Sequence, residues 1–560
     1  MSEEANPETN VAAAAATPRR PRSVEDDEDG HSLDVKVMET VIMKSDIDSG
    51  SGSEDSYEEY EDKPNTGEIM GWCFYELCSY FTHTVLLTIV FPLIISQTFN
   101  SEPPEPARGW YMNRKGFHCT KKETLLFEAL TYARVKVGSM KFSALEWTSI
   151  SWFSGLIVAA PLLASVSIHL DHRRNSHVMA AIATAIGAVF CLPAGAIKTV
   201  WIMPPYVAAI VASNAVGSAF HNRHLGLMVR GFVGATIRKL QFPDRQAVSG
   251  WLSLYATAGG CFGSAAIASF TYYMLRNSEG FISLWVVSIF SGILWFAGIA
   301  YIITATRSNG NESSNDNSRV STGHFISIFK YPHAAGTLVG VFLSSFSTMS
   351  IFTGGLLYIV GQLCTPPKDL LFVWLTYFFF PLLVLPLLQP IQKVIRSDAV
   401  KMQIFGFLLS TLTSGMGFYY RLENWHKSHV LFLAASQSIA SGVLHAYSRI
   451  LLMDCAPSGK EGVFAAWFSW VRMLGAFVGF AIGSSGVGNI NRSFGAAFAA
   501  AVVGIVALIF SNVSSYGGAV AAGHVHKRRE TGSPVRQSDN VVNVKGKEDS
   551  DEPQDRTIEV

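Results

Sequence analysis

From Ile69 onward the chain is a succession of apolar runs, each close to the ~20 residues that cross ~30 Å of hydrocarbon, separated by short polar breaks. The runs fall at about 69–97, 148–170, 178–198, 203–229, 249–275, 281–305, 334–361, 370–392, 400–420, 428–452, 463–487 and 494–516. They are too long and too continuously aliphatic for barrel strands, which alternate over ~10 residues. In lipid a segment must satisfy its own backbone hydrogen bonds, so the runs are read as helices. The sequence therefore predicts an all-α membrane protein with about twelve transmembrane helices.

The charge distribution agrees. The formal net charge is zero, but residues 1–68 hold 19 acids and 6 bases, while residues 69–524 hold 16 acids and 30 bases. Those 46 charges in 456 residues fall far below the quarter usual for water-soluble domains. Residues 1–68 carry an alanine run and two acidic clusters, with too few large apolar side chains to offset chain entropy. They are read as a disordered acidic tail, with Ser51, Ser53 and Ser56 placed before acids as acid-directed kinases favour. No cleaved signal peptide is evident at the start.

The polar, Asn/Ser-rich stretch Thr306–Lys330 divides the spans six and six. The expected organisation is a six-helix bundle at 69–305, a linker at 306–333, a second six-helix bundle at 334–516 and a disordered tail at 517–560. Two matched sets of six are what a duplicated carrier gives, although the halves share no obvious residue-level repeat. Lys and Arg favour the loops after spans 2, 4, 6, 8 and 10, once the long loop 99–147 with its eight bases is set aside. The bias puts that side, and both termini, in the cytosol.

Ionisable groups inside spans are costly and point to function. In span 1, Glu76, Ser79, Tyr80 and His83 fall at i, i+3, i+4 and i+7, one helix face. Glu76 is the one acid set well inside a span, and is a candidate for proton or substrate coupling. Span 4 carries Asn214, Ser218, His221 and Asn222. Span 10 carries Gln437, Ser441, His445 and Ser448, and span 7 the cluster Ser344–Ser350. Spans 1, 4, 7 and 10 hold the same relative place in each helix triplet, which suggests a shared cavity over scattered interhelical hydrogen bonds. Arg223 and Arg449 are read as lying near the cytosolic ends of spans 4 and 10. Arg472 lies near the middle of span 11, where it needs an anion: Glu76, a carboxylate solute or helix-end carbonyls. Asp171, Arg173 and Arg174 pack acid and bases into the turn after span 2, and are candidates to bridge to a neighbouring helix.

Other chemistries lack their residues. There is no GxxxxGK[ST], HExxH, GxSxG or paired CxxC, so an enzyme is not expected, and no metal or cofactor is assigned. Bases are scattered without an aromatic platform, so nucleic acid is not an expected partner. Cys119 and Cys364 fall in loops on the non-cytosolic side, where they could pair or remain free thiols. Asn491-Arg-Ser493 forms a sequon in a short loop.

Several stretches resemble the autophagy-related vacuolar amino-acid effluxer (twenty-two-like) family of the major facilitator superfamily. They are Gly71-Trp72-x-x-Tyr75-Glu76 with Phe91-Pro92; Pro161-Leu162-Leu163 leading to Asp171-His172-Arg173-Arg174; Phe220-His221-Asn222; Val248-Ser249-Gly250-x-x-x-x-Tyr255 with Gly259-Gly260; and Ser448-Arg449 followed by Pro457-x-Gly459-Lys460-Glu461-x-x-Phe464. Glu76 stands where that family has Asp, and Met473 where it tends to have Lys. The resemblance implies a secondary transporter that exports small amino acids from a vacuole or lysosome-like compartment by alternating access. On that reading Glu76 contacts a proton or an amine, and Arg472 a carboxylate. His83, Asn222, Gln437 and His445 line the cavity, and Asp171, Arg173, Arg174, Arg449 and Glu461 form a cytosolic gate. A plasma-membrane carrier of another organic solute, or a non-transporting receptor or scaffold whose tails bind cytosolic proteins, would share the same spans.

Overall fold

The computed structural model describes residues 62–98, 127–132, 135–172, 176–194, 199–277, 284–305, 324–363, 365, 367–420, 425–485, 490–511 and 513–526. Arg173, Arg174, Cys119, Cys364, and residues 1–61 and 527–560 of the expected tails lie outside these residues.

Twelve long helices follow one another: α1 (Thr66–Gln97), α2 (Ala144–His172), α3 (Ser176–Cys191), α4 (Met203–Val233), α5 (Phe242–Asn277), α6 (Leu284–Thr304), α7 (Pro332–Gly361), α8 (Pro367–Ile395), α9 (Ala399–Tyr419), α10 (Lys427–Asp454), α11 (Glu461–Ser485) and α12 (Ile490–Phe510). Among the described residues nine of these are both long and apolar enough to cross a membrane, and α3 is a shorter apolar helix. The other two, α5 and α9, are of spanning length, and their Gly, Ser, Thr and Tyr content makes them less apolar. Such small and hydroxylated residues suit helices packed against other helices. A short hairpin, β1 (Val135–Val137) with β2 (Met140–Phe142), precedes α2.

The two halves repeat each other in their packing. Helix α1 packs on α5, and α7 on α11. Helices α2 and α3 pack on α4, and α8 and α9 on α10. Between halves, α2 meets α11 and α5 meets α8, while α4 meets α11 and α5 meets α10. Adding six to one helix number and subtracting six from the other converts each cross-half pair into its mate. The duplication absent from the sequence is thus present in the architecture.

Within the second half, α11 approaches α7 through Gly475, Gly479 and Gly483, spaced four apart. A Cβ at these positions would collide with the Phe342 carbonyl, the Phe346 carbonyl and the Thr353 Cβ of α7, respectively. Four-residue spacing puts small residues on one helix face, which lets two backbones come together without a hydrophobic driving force. Helix α1 is not regular throughout: Thr82–Val90 is wound as a π-helix. Such widened turns often mark functional sites, and this one begins one residue before His83.

The last expected span, 494–516, ends early. Helix α12 stops at Phe510, and a separate short helix, α13 (Ser515–Ala521), follows. The Ser514 hydroxyl accepts from Gly517 N and so starts α13. The chain beyond α13 pairs with the α4–α5 connection: Ile237 N donates to His524 O at 2.8 Å, and His526 N to Ile237 O at 3.1 Å. Ile237, Phe242, Ala519 and Val525 form a small buried cluster around this contact. The region after 516, expected to be a disordered tail, is therefore folded as far as His526 and ties the second half to the first.

Candidate functional site

Glu76 faces the seam between halves and is 5% exposed. Its carboxylate has three partners. His445 Nε2 lies 3.0 Å from Oε1. His221 Nδ1 lies 3.0 Å, and Arg449 Nη1 3.3 Å, from Oε2. Glu76 and His221 come from the first half, His445 and Arg449 from the second, so the acid ties the two.

Arg449 is fully buried. Its Nε donates to Ser253 Oγ at 3.1 Å, and its Nη2 to Ser253 O, Ser253 Oγ and Thr257 Oγ1 at 3.1, 2.9 and 3.3 Å. The guanidinium carbon sits 5.1 Å from the centre of the Trp72 ring. The planar fork of Arg satisfies several acceptors at once, which a lysine cannot do. Sequence reading put Arg449 near a helix end with the gate. The structure puts it in the central cluster, because Ser253 and Thr257, one turn apart on α5, offer acceptors beside Glu76.

The His221 ring is held from both sides. Its Nε2 lies 2.9 Å from the Trp72 carbonyl oxygen, Trp72 Nε1 donates back to the His221 carbonyl at 3.0 Å, and the two rings stack. A carbonyl only accepts, so Nε2 carries a hydrogen. The opposite nitrogen, Nδ1, faces a carboxylate oxygen. Two bare lone pairs at 3.0 Å repel, so a proton lies between Nδ1 and Oε2. The pair is imidazolium–carboxylate or imidazole–carboxylic acid, and holds one proton more than neutral imidazole with a bare carboxylate.

Arg472 does not pair with Glu76. Its Nη2 donates to His83 Nε2, and its guanidinium carbon sits 5.6 Å from the Tyr80 ring centre. His83 therefore accepts at Nε2 and carries its hydrogen on Nδ1. Among the described residues Arg472 forms no ion pair with a carboxylate. Two cavities meet at this arginine. A narrow one is lined by Glu76, Ser79, Asn214, Ser218 and His221. A larger one, about 740 Å³ of empty space, is lined by His445, Ser441, Ser448, Thr348, Tyr377 and others. Tyr80 and His83 line both. Of the other expected lining residues, Asn222 bonds within its own helix, to Ser218 O at 2.7 Å. Gln437 lies apart from the Glu76 cluster, on a separate chamber.

A second set of contacts joins the halves at one end of the bundle. Asp171, at the end of α2, caps the start of α11: Oδ1 accepts from Gly462 N at 2.6 Å and Oδ2 from Val463 N at 3.2 Å. A carboxylate there satisfies free amides and faces the positive end of the helix dipole. His324 Nε2 lies 3.1 Å from Asp171 Oδ2. Arg230 of α4 pairs with Glu461 of α11, and Arg245 Nε of α5 with Asp454 Oδ1 of α10 at 3.2 Å. The structure thus brings Asp171 and Glu461 together at one helix start, as bridges between halves.

Sequence reading missed Arg230, Arg245, Asp454, Ser253 and Thr257. The Ser253/Thr257 pair, at i and i+4 on one helix face, was the available signal. His221 was noted in a polar stripe and in the Phe220-His221-Asn222 stretch, with no role assigned to it.

No family model and no curated protein matches the chain. Solved structures do. The human organic anion transporter MFSD10 (TETRAN) is similar with TM-score 0.50 and 12% identity, over 79% of this chain and 99% of that one. A bacterial homologue of the iron transporter ferroportin, in an outward-facing state, gives 0.49 at 12% identity over 80% and 99%. The major facilitator transporter FucP, in the outward conformation, gives 0.47 at 12% over 80% and 98%. At this identity the likeness to MFSD10 speaks to the fold alone, a helical bundle shared over 79% of this chain.

Proposed function

We propose that this protein is a secondary transporter of small organic solutes, worked by alternating access and coupled to protons. The observation that carries the reading is the buried 3.0 Å contact of His221 Nδ1 with Glu76, the other ring nitrogen resting on the Trp72 carbonyl, at a seam where His445 and Arg449 of the second half meet the same carboxylate. Withdrawing the proton between Nδ1 and Oε2 sets two lone pairs against each other at 3.0 Å. The ring must then leave either Glu76 or the Trp72 carbonyl, and the hold of His445 and Arg449 on Glu76 changes with it. A proton is thereby converted into a change in cross-half contact, which is what coupling needs.

The contacts of Asp171 and Glu461 lie where α2 and α4 end and α11 begins, and that of Arg245 where α5 begins and α10 ends. They hold the halves together in one state and separate in the other. The loop charge bias makes this the cytosolic end. Arg472, with no acid partner among the described residues, is the anion contact for the solute. The resemblance of Gly71–Glu76 and Pro457–Phe464 to the vacuolar effluxers supports amino acids as the solute and a vacuole or lysosome-like membrane as the location.

The test is uptake into vesicles reconstituted with the full chain. Wild type should accumulate an amino acid when a proton gradient is imposed, and Glu76→Gln should exchange solute across the membrane without accumulating it. Accumulation unchanged in Glu76→Gln would reject the coupling role.

A further inference from the structure

The larger central cavity, to which both halves contribute, shares a wall with a third chamber lined by the second half alone. Phe352 and Tyr377 line both, their ring centres 5.0 Å apart. The third chamber is about 710 Å³ of empty space, lined by Trp374, Trp425, Phe494, Leu433 and Ile359. It is mostly apolar: Thr413 Oγ1 and Trp425 Nε1 are bonded to backbone carbonyls, Trp374 Nε1 is an unpartnered donor, and one side chain offers both a donor and an acceptor. Gln437 lines it, is 1% exposed, and has neither amide atom hydrogen-bonded. A buried amide without partners is costly and uncommon in a native protein; in a cavity wall it points to a ligand that supplies them. The side chain thus stands ready to donate and accept inside an aromatic chamber.

At the cationic end, the matching feature is Arg472. Its guanidinium meets a neutral histidine nitrogen and an aromatic face, so its charge is unmatched by any acid among the described residues. Nothing comparable serves a cation. The nearby carboxylate, Glu76, has both oxygens engaged by His445, His221 and Arg449. The remaining polar groups of the central cavity are hydroxyls such as Ser344, Ser441, Ser448 and Thr348, and the unpartnered Nδ1 of His445; none carries the negative charge that selects an ammonium over water.

We propose that the solute is a carboxylate bearing an apolar or aromatic body, and that an amine on it is not read. The carboxylate takes the fork of Arg472, the body lies across the Phe352–Tyr377 wall into the aromatic chamber, and Gln437 bonds a polar substituent at the far end. This rests on the carrier reading above for its site, and narrows the solute. Bulky apolar amino acids fit, and so do the same acids without the amino group. Glycine and alanine leave the chamber empty.

The test is binding to the purified full chain in detergent, followed by titration calorimetry. The probes are phenylalanine, 3-phenylpropionate, 3-(4-hydroxyphenyl)propionate, phenethylamine and glycine. The first two should bind within threefold of each other, and phenethylamine and glycine at least tenfold more weakly. Arg472→Gln should weaken both acids at least tenfold, with Arg472→Lys between. The hydroxyphenyl acid should bind tighter than the phenyl acid, and Gln437→Leu should erase that preference. Phenethylamine binding as well as phenylalanine, or 3-phenylpropionate binding tenfold more weakly than phenylalanine, would overturn the assignment. The probe series on wild type decides the question even where a variant fails to fold. Binding in this pattern with no movement of any probe in vesicles would instead reject the carrier reading and leave the ligand class standing. Transport of glycine in preference to the aromatic acids would do the reverse.

Discussion

Glu76 and Arg449 lie 373 positions apart in the sequence and meet at 3.3 Å across the seam between the two halves. Each side of the contact is further tied, Glu76 to His221 and Arg449 to Ser253 and Thr257. A buried charge cluster of this kind is held by its completeness.

Removing one partner should therefore be expensive. Arg449→Ala leaves Glu76 short of a cation and Ser253 short of a donor, which for a buried pair costs about 3–5 kcal/mol. The variant should unfold at markedly lower temperature in detergent, and Arg449→Lys should restore little, because an ammonium cannot reach Ser253, Thr257 and Glu76 together. A melting point equal to wild type would show that the cluster does not hold the halves.

The Asp171 cap makes a smaller claim. Asp171→Asn keeps an acceptor but removes the charge facing the start of α11 and the contact with His324. Loss of a charged cap is worth about 0.5–2 kcal/mol. Thermal unfolding should show a modest decrease, much smaller than that of Arg449→Ala. A loss as large as Arg449→Ala would mean that Asp171 carries more than the cap.

The glycine face of α11 permits a steric test. Gly479→Leu puts a side chain where the Phe346 carbonyl and Ser350 backbone of α7 already sit. The variant should fail to give a monodisperse peak on size exclusion. Gly495→Leu on α12, which would meet only the edge of the Phe418 ring, should be tolerated better. Equal behaviour of the two would show that α7 and α11 are not closely apposed.

His524 should make the C-terminal contact sensitive to acid. Burial, with Arg245 and Arg230 nearby, pushes its pKa down to about 3, against about 6.5 for a free histidine. Its Nε2 faces the Ala456 carbonyl at 2.8 Å. Between those values the unfolded chain binds a proton that the folded chain does not, so stability falls as pH drops from about 6.5 towards about 3, by at most about 1.4 kcal/mol per unit. Melting followed from pH 7.5 to pH 5 should therefore decline more in wild type than in His524→Gln. Parallel curves would exclude this histidine as the source.

The helical spans were legible because hydropathy reports what lipid demands of a segment; residues 306–323 of the expected linker lie outside the described residues. Asp171 was legible as a bridging candidate because acid and bases crowd the turn after span 2, whereas Glu461 entered only through the family resemblance. The partners of Glu76 were not. Helical periodicity shows that Glu76 and His83 share a face, but the rotation of α4 and α10 about their axes decides which nitrogen meets which oxygen. For the same reason Arg472 could be read as needing an anion, but not as resting on His83 and Tyr80. Helix α13 escaped notice because its seven residues, Ser515–Ala521, straddle the expected end of the last span and are too few and too rich in glycine to register as a helix by periodicity.

Proton movement tests the central claim most directly. Vesicles containing the full chain and an internal pH-sensitive dye are given 3-phenylpropionate or phenylalanine under voltage clamp by valinomycin and potassium. Solute addition should drive a proton flux in wild type, and Glu76→Gln and His221→Phe should move solute with no accompanying flux. Solute-driven proton flux persisting in both variants would contradict the shared proton as the coupling element.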